Sequence, residues 1–206
     1  MPKKFSEIEK TQIKQKLLDS ARSLFTRYGI KKTSVEDLTK GAGIAVGTFY
    51  AFYQSKEELF FELLEVEESE IRAALFENAA DRPLNKEYFK SFLLESFKLM
   101  SENPIVQQIL LAEQYEALIR KVPPERLERN YHQDQDFFYP FIEKWQAEGL
   151  LIKSPPALIV SMIRSLVLLS LHRREIGESV YEDTLELLIS TIAEGLFIRE
   201  EHYRND

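Results

Sequence analysis

Cysteine is absent from all 206 residues of the chain. This absence excludes disulfide scaffolds, thiolate nucleophiles and the zinc sites that are built on cysteine. Only three histidines are present, and none belongs to a metal-binding pair of the HExxH kind. A glycine-rich phosphate loop is missing as well. We therefore expect no metal, no cofactor and no catalytic activity. An enzyme is the last of three alternatives for the function.

Long hydrophobic runs are also missing. No apolar run follows the start Met1-Pro2-Lys3-Lys4, so we expect no signal peptide. The longest apolar stretch, Ala157 to Leu171, has 15 residues and contains Arg164 and three serines. It is too short and too polar to cross a bilayer. We expect a cytoplasmic protein without a membrane partner.

Strand-like alternation of polar and apolar residues is not found, whereas apolar residues recur at helical spacing along the chain. We predict an all-α fold of about nine helices, with one domain at residues 1–56 and a second at residues 57–206. The predicted helix from Glu57 to about Ala79 leads from the first domain into the second, with an acidic outer face at Glu65, Glu67, Glu68 and Glu70. Capping boxes at Ser6 and Ser179 predict the starts of the first helix, which extends to about Tyr28, and of the last helix, near residues 180–197. Further helices are predicted near residues 88–100, 105–119, 125–147 and 155–175.

The net charge of −7 is unevenly divided. Residues 1–56 carry 11 Lys or Arg and 5 Asp or Glu, which gives +6, and the rest of the chain therefore carries −13. A basic head on an acidic body is the charge pattern of a DNA-binding protein. Chance variation between segments is the alternative, but the change of sign coincides with the motif described next.

The stretch from Thr33 to Lys56 reads TSVEDLTKGAGIAVGTFYAFYQSK. Thr33 or Ser34 can cap a first short helix, and Glu36 or Asp37 can complete a capping box. The Gly41-Ala42-Gly43 run breaks this helix, and a second helix of barely two turns follows at residues 46–52. Two short helices joined by a glycine turn are typical of the helix-turn-helix motif, whose second helix reads the DNA major groove. A helical hairpin without a ligand has the same local pattern.

Residues 13–59 resemble the tetracycline-repressor (TetR) family of bacterial transcription regulators. The resemblance covers roughly the first quarter of the chain, and it is specific because many positions match at fixed spacing. The matching residues are Ala21, Leu24, Phe25, Gly29, Thr33, Ser34, Val35, Leu38, Ala42, Gly43, Ile44, Gly47, Thr48, Phe49, Tyr50, Phe52, Ser55, Lys56, Glu57 and Leu59.

The resemblance implies a set of DNA contacts. It places four residues on phosphates, namely Thr33, Ser34, Tyr50 and Lys56. It brings Val46, Gly47 and Thr48 to the base edges. Hydroxyls and a lysine are ordinary phosphate partners, which set the register of a protein on DNA rather than its sequence preference.

The reading helix departs from what is usual. Residues 45–52 contain no Arg, Asn, Gln or Lys, so the bidentate pairs that read guanine and adenine are not available from this helix. Val46 and Thr48 can touch thymine methyl groups. Ala45 stands where the family commonly has serine, and alanine cannot cap a helix. With Gly47 in its interior, this helix is intrinsically weak.

The helices of the second domain are rich in aromatic residues and methionine, which suit the walls of a small-molecule pocket. A filled core is the alternative reading for any one of them. In the TetR family these helices enclose an effector cavity, and the resemblance therefore implies an effector, here a small and largely apolar molecule. The candidate effector-binding residues are Phe92, Met100, Tyr115, Tyr131, Phe138, Phe141, Trp145 and Met162.

The last two long helices are candidates for a dimer interface. The Ala157 to Leu171 stretch is apolar nearly all round, which indicates burial on more than one side. Its partner could be this chain's own core or a second subunit, and the resemblance implies a homodimer through a four-helix bundle. The candidate interface residues are Leu166, Leu185, Leu188, Ile189 and Ile192. We predict a homodimeric regulator, most simply a repressor, that leaves a palindromic double-stranded DNA operator when its effector binds. The alternative is an all-α effector-binding or scaffold protein that does not bind DNA.

Overall fold

The computed structural model describes residues 5–77, 84–110 and 112–198. Within these residues the chain forms ten α-helices and one 3-10 helix, and no strand, so the all-α prediction is confirmed. The α-helices are α1 (Glu7–Lys32), α2 (Val35–Ala42), α3 (Val46–Phe49), α4 (Lys56–Glu77), α5 (Lys86–Glu102), α6 (Ala112–Ile119), α7 (Pro124–Ala147), α8 (Pro156–Ser170), α9 (Arg173–Ile176) and α10 (Tyr181–Leu196).

Two of the predicted helices are each divided in the structure. The helix predicted at 105–119 is the 3-10 helix Val106–Ile109 followed by α6. The amide groups of Ile105 and Val106 both donate to the side-chain carbonyl of Asn103, which fixes the entry to the 3-10 helix. The helix predicted to reach 175 ends at Ser170, and α9 is a separate turn. The predicted stop at residues 81–83 lies outside the described residues.

The chain divides into two compact units. The first comprises residues 1–70 and 101–127, and the second comprises residues 71–100 and 128–206. The division falls inside α4, α5 and α7. The first unit therefore contains more than the predicted domain at residues 1–56, because segments from the middle of the chain belong to it.

The first unit has a core of apolar side chains from α1, α2, α3 and α4. The phenyl rings of Phe25 and Phe60 meet edge to face at 5.2 Å, an arrangement that adds to the free energy gained by burial alone. The Ser20 hydroxyl of α1 donates to the Leu38 carbonyl of α2 at 2.9 Å, and it lies against Gly41. The largest fully buried side chains of this unit are Leu17, Phe25, Leu38, Phe49, Tyr53, Leu59, Phe60, Leu63 and Ile105.

Helix α1 is broken near its end at Gly29, whose backbone has a φ of 78°. This conformation suits glycine, which has no Cβ to clash. The break leaves backbone groups without helical partners, and the Gln108 side chain binds two of them. Its Nε2 donates to the Phe25 carbonyl at 3.0 Å, and its Oε1 accepts from the Ile30 amide at 2.9 Å. Gln108 therefore fixes the end of α1.

Helix α4 is tied to the start of α7 by an ion-pair cluster in the first unit. The guanidinium of Arg126 pairs with three carboxylates that recur along one face of α4, those of Glu58, Glu62 and Glu65. All four side chains are less than one fifth exposed. Removing one partner of an ion pair that is shielded from water strongly destabilises the folded protein, because the other charge is left without compensation. Arg126 is therefore a fixed connection between these two helices.

The second unit has its own core, built from α5, α7, α8 and α10. Leu151 and Phe197 form an isolated antiparallel bridge that holds the segment between α7 and α8 to the end of α10. The buried residues of this core are Phe89, Leu93, Ile142, Leu151, Ile159, Val160, Leu166, Tyr181, Leu185, Ile189, Ala193 and Leu196.

A charged cluster joins three helices of the second unit. The Asp134 carboxylate of α7 accepts from Arg72 of α4 at 3.0 Å and from Arg164 of α8 at 2.7 Å. Each guanidinium also lies over an aromatic ring of α7, Phe137 for Arg72 and Tyr131 for Arg164. Arg164, which interrupts the apolar stretch of α8 in the sequence, thus faces α7. Among the described residues, no helix combines the length and the apolar character that a membrane crossing requires.

Candidate nucleic-acid interface

The first helix of the predicted motif, α2, begins with a complete capping box. The Ser34 hydroxyl accepts from the Asp37 amide at 3.1 Å and donates to the Asp37 carboxylate at 2.6 Å, and that carboxylate also accepts from the Ser34 amide at 3.0 Å. Hydrogen bonds from the Ser34 hydroxyl and amide lower the pKa of Asp37. Of the alternatives left open by the sequence, Ser34 and Asp37 form the box. It fixes the start of the helix-turn-helix unit.

The turn between α2 and α3 depends on one glycine. Gly43 has a φ of 68° and a ψ of 35°, in the left-handed region. Its amide donates to the Lys40 carbonyl at 3.2 Å, and the Ile44 amide donates to the Thr39 carbonyl at 3.0 Å. These bonds satisfy the carbonyl groups at the end of α2 and turn the chain toward α3. The predicted glycine turn is confirmed at Gly43, whereas Gly41 lies inside α2 against α1.

The second helix of the motif, α3, is only four residues long, Val46–Phe49. Ala45 occupies the capping position and makes no side-chain hydrogen bond there, as the sequence predicts. Two aromatic residues hold the helix from below. Phe49 and Tyr53 are buried, with their ring centroids 5.7 Å apart. Burial raises the pKa of Tyr53, and the neighbouring Glu62 carboxylate raises it further.

The outer side of α3 is exposed and carries little side chain. Ala45 and Gly47 are exposed, Val46 is 37% exposed and Thr48 is half-buried. Tyr50, which follows α3, is 59% exposed. The buried rings of Phe49 and Tyr53, called the buried aromatic floor below, thus support a short helix. The exposed surface of this helix consists of small side chains with few hydrogen-bonding groups. A short helix with this surface can approach another molecule closely.

Exposed lysines lie on the same unit. Lys31 and Lys32 are exposed at the end of α1, and Lys40 is exposed in the last turn of α2. Lysines at a helix C-terminus interact favourably with the helix dipole, and exposed ammonium groups can also bind phosphate. Lys40 is not among the DNA contacts that the family resemblance implies, although the sequence places it at the end of the first motif helix.

Two of the predicted phosphate contacts have other partners within the chain. The Thr33 side chain is buried, and its hydroxyl donates to the Gly29 carbonyl at 2.9 Å. The Lys56 ammonium donates to the carbonyls of Ile30 and Thr33, both at 2.7 Å. Both side chains are therefore engaged at the end of α1, and we leave them out of the proposed DNA surface. The partners of Lys56 lie more than twenty positions away in the chain, so its sequence position could not show this role.

Three of the predicted dimer contacts also need correction. Leu166, Leu185 and Ile189 are buried in the core of their own chain, so they offer no surface to a second subunit. Leu188 and Ile192 are partly buried and pack against the same core. The helical stripe that the sequence assigned to an interface is the inner face of α10.

The predicted effector residues are divided between the two units. Tyr115 belongs to the first unit and the other seven belong to the second. Three of those seven pack against the core of the second unit, namely Phe92, Phe138 and Trp145. Phe141 stacks on Trp145 with a centroid distance of 5.9 Å, and Tyr131 lies under Arg164. Met100 is half-buried, while Met162 is exposed on α8.

The part of the chain that the structure describes contains no group of three or more Asp, Glu or His side chains that could hold a metal ion. The candidate site is a protein surface made from backbone, small side chains and lysines. Such a surface suits a polyanion with apolar groups along its edge, which is the chemistry of the DNA major groove.

Comparison with known proteins agrees with this assignment. Residues 17–63 match the family model described as "Bacterial regulatory proteins, tetR family". The HTH-type transcriptional regulator AcrR of Shigella flexneri is 35% identical over 75 residues, which are 36% of this chain and 35% of that protein. The HTH-type transcriptional repressor KstR2 of Mycobacterium tuberculosis is 44% identical over 48 residues, 23% of this chain and 24% of the relative. The chain thus matches about a third of the length of AcrR and about a quarter of the length of KstR2.

The fold extends the likeness beyond the matched residues. The crystal structure of a TetR-family transcriptional regulator from Pectobacterium atrosepticum has a TM-score of 0.71 at 20% sequence identity, covering 95% of this chain and 99% of that one. At this identity the likeness concerns the fold alone. Residues 17–63 thus match the family of bacterial regulatory proteins named tetR, and the fold of the chain is similar to that of a TetR-family regulator.

Proposed function

We propose that this protein is a DNA-binding transcriptional regulator, most simply a repressor, that acts as a homodimer in the cytoplasm and responds to a small molecule. The observation that carries the proposal is the surface of residues 45–50. It is exposed, it is held by a buried aromatic floor, and it lies in the family's DNA-binding unit. A helix-turn-helix that served only packing would bury this side of α3.

The proposed phosphate partners are Ser34, Tyr50 and the exposed lysines of α1 and α2. Tyr50 projects a phenol beside α3, where it can donate a hydrogen bond to a phosphate oxygen. The Ser34 hydroxyl is bonded to Asp37, so a phosphate contact at this position would use the amide groups of the first turn of α2, which have no partner within the helix. These contacts position the reading helix without choosing a base sequence.

The test is a mobility-shift assay with the DNA that lies upstream of the gene for this protein. We expect a complex that survives an excess of unrelated DNA, and a footprint with two-fold symmetry. A scaffold or effector-binding protein without DNA binding would give neither. The test variant is Tyr50→Ala, which keeps the buried rings of Phe49 and Tyr53 and should weaken the complex.

The proposed dimer surface is the exposed side of α8 and α10. On α8, apolar side chains are exposed at Leu158 and at Met162, one turn apart, and Leu169 continues the same stripe two turns later. On α10, Leu187 is 67% exposed, more than any other large apolar side chain of that helix. Exposed apolar stripes on neighbouring helices are typical of helix-bundle interfaces. Met162, predicted as an effector contact, belongs to this stripe.

A glycine supports the same assignment. Gly195 lies in the last turn of α10 and is exposed, and a Cβ at this position would meet no atom of the described residues within 4 Å. Glycine inside a helix costs about 1 kcal/mol relative to alanine. No contact among residues 5–77, 84–110 and 112–198 requires this glycine, whereas a second helix packed against α10 could approach closely there.

The proposed effector site is the aromatic side of α7 in the second unit. Phe138, Phe141 and Trp145 supply apolar walls, and Asp134 with its two arginines supplies polar groups next to Tyr131. A few polar groups within an apolar wall give a small-molecule site its specificity. An effector that binds this unit can release DNA only if it prefers an arrangement of the protein that binds DNA poorly.

The coupling test is reciprocal. Compounds that dissolve the DNA complex are first found by a screen, and the affinity of the best compound is then measured with and without saturating operator. Linkage requires the two shifts in affinity to be equal. An effector affinity that does not change with operator would contradict release through a change in arrangement.

A further inference from the structure

The exposed surface of α3 has a chemical composition that restricts what it can read. The base edges of the major groove carry hydrogen-bonding groups and, on thymine only, a methyl group. The residues that face solvent at α3 are Ala45, Val46 and Gly47, with Thr48 half-buried beside them. Among these side chains only the Thr48 hydroxyl can form a hydrogen bond, and a single hydroxyl pairs with any base.

Gly47 gives an independent indication. Its φ is not positive, so its backbone conformation does not require glycine. A Cβ built at this position would meet no atom of the described residues within 4 Å, so no contact among those residues requires glycine either. Because glycine weakens a helix, Gly47 does not serve the stability of α3, and we look for its role in a contact with another molecule. A close approach of α3 to another molecule explains it.

We infer that α3 reads its operator chiefly through thymine 5-methyl groups, which lie against the methyl groups of Val46 and Thr48, while the missing side chain at Gly47 lets the backbone come close to the groove. This inference rests on the proposed DNA binding and deepens it. It assigns a chemical class of target, T·A pairs whose methyl groups line the groove opposite α3. The methyl groups of Val46 are available because that side chain is 37% exposed although its neighbour Phe49 is buried.

The test replaces each thymine of a bound operator half-site, one at a time, with deoxyuridine. Uracil keeps every hydrogen-bonding group of thymine and lacks only the methyl. At one or two positions per half-site we expect the affinity to fall about fourfold for each methyl group removed from contact. At the same positions, a C·G pair should bind weakly and a 5-methylcytosine·G pair should regain part of the lost affinity.

A second variant connects the effect to a residue. With Val46→Ala, the affinity ratio between thymine and uracil at one of these positions should fall toward one, because the contacting methyl groups are gone. The change Val35→Ala, at the start of α2, is a control that removes the same atoms elsewhere in the motif and should leave the ratio unchanged.

The outcomes separate the inference from the proposed function. If the protein binds its operator but no uracil substitution changes the affinity, the inference is wrong and the proposed function stands. The inference is equally wrong if cytosine and 5-methylcytosine behave alike. If no DNA is bound at all, the proposed function fails, and the inference fails with it.

Discussion

At the scale of single residues, some of the positions proposed for DNA binding have no evident role in the fold. Gly47 is exposed, and the Cβ of an alanine at this position would contact none of the residues that the structure describes. We expect Gly47→Ala to raise the free energy of unfolding by up to about 1 kcal/mol, because alanine favours helix. The same change should lower operator affinity tenfold or more by blocking close approach. Thermal unfolding and a binding titration on one sample measure the two effects.

The diagnostic result for Gly47→Ala is a rise in the free energy of unfolding together with a fall in operator affinity. A lower stability together with weaker binding would mean that the glycine serves the fold, and an unchanged affinity would remove the proposed close approach.

The Ser34–Asp37 box is a second residue-scale feature, and it predicts a pH dependence. The pKa of Asp37 is lowered in the folded protein by its hydrogen bonds with Ser34. Its contribution to stability is therefore complete above the unfolded pKa, about 3.9, and is lost as the pH falls through the folded value. We expect Ser34→Ala to return the pKa of Asp37 toward its usual value. An NMR titration of the Asp37 carboxyl carbon checks this, and an identical titration curve in the variant would contradict the assignment.

Lys56 shows why residue roles are hard to derive from sequence. Its charge and its place after the motif predict a phosphate contact, whereas its ammonium group holds two carbonyls at the end of α1. Hydrogen bonds to a charged group contribute about 1.5–3 kcal/mol. We expect Lys56→Met to lower stability by about that amount and to leave the salt dependence of DNA binding unchanged. A log–log salt slope that becomes shallower by about one unit would instead restore the phosphate role.

At the scale of helices, the contact between α1 and α2 determines the geometry of the helix-turn-helix unit. A Cβ on Gly41 would lie 2.2 Å from the Ser20 hydroxyl oxygen and 3.2 Å from the Ser20 Cβ. We expect Gly41→Ala to destabilise the protein by about 1–3 kcal/mol, the usual cost of overpacking. Adding Ser20→Gly should recover part of the loss, and urea unfolding measures all three variants.

A purely additive result for this pair would contradict the proposed clash. Gly41 and Gly47 lie six positions apart in one motif, yet the same substitution should destabilise the protein at one and stabilise it at the other. The difference depends on what lies beside each glycine, which the sequence does not contain.

Local signals predicted the helices and their caps well. The Ser6 and Ser34 boxes are present, because each needs only residues that are three apart in the chain. The box predicted at Ser179 is wrong, since α10 begins after Val180 without a side-chain cap. Glu67, read as part of a solvated face, is buried and bonded to Asn103 and paired with Arg22. Such long-range partners could not be predicted from helical spacing.

The choice between two apolar faces was likewise beyond the sequence. A helix with apolar residues on several sides shows that it is buried, but not which face meets its own core. In α10, Leu185 and Ile189 recur at helical spacing and face the core of the chain. Leu187, which does not belong to this stripe, faces solvent. The aromatic residues of α7 were found by composition, whereas the Asp134 cluster beside them depends on two arginines from distant helices.

At the scale of the whole molecule, a palindromic operator requires two DNA-binding heads. Their helices enter successive major grooves, about 34 Å apart, only when two copies are joined. We expect Leu158→Glu with Leu187→Glu to give a folded monomer, since both side chains are more than half exposed in one chain. Operator affinity should fall at least a hundredfold, because linked heads gain from their effective concentration. Sedimentation gives the mass, and circular dichroism checks folding.

The control for the interface comes from the residues that were first predicted for it. Leu185→Glu places a charge in the core of the chain and should unfold the second unit rather than yield a folded monomer. An intact dimer in the double variant at positions 158 and 187 would show that the two copies meet elsewhere.

The most direct test of the central claim is a salt titration of binding to the upstream operator, followed by fluorescence anisotropy. The basic first 56 residues and the exposed lysines predict tight binding at low salt, with log affinity falling linearly with log salt by about 0.9 for each phosphate neutralised. Unrelated DNA of the same length should bind more weakly at every salt concentration. Binding that is absent at low salt, or equal for operator and unrelated DNA throughout, would contradict the assignment of this protein as a DNA-reading regulator.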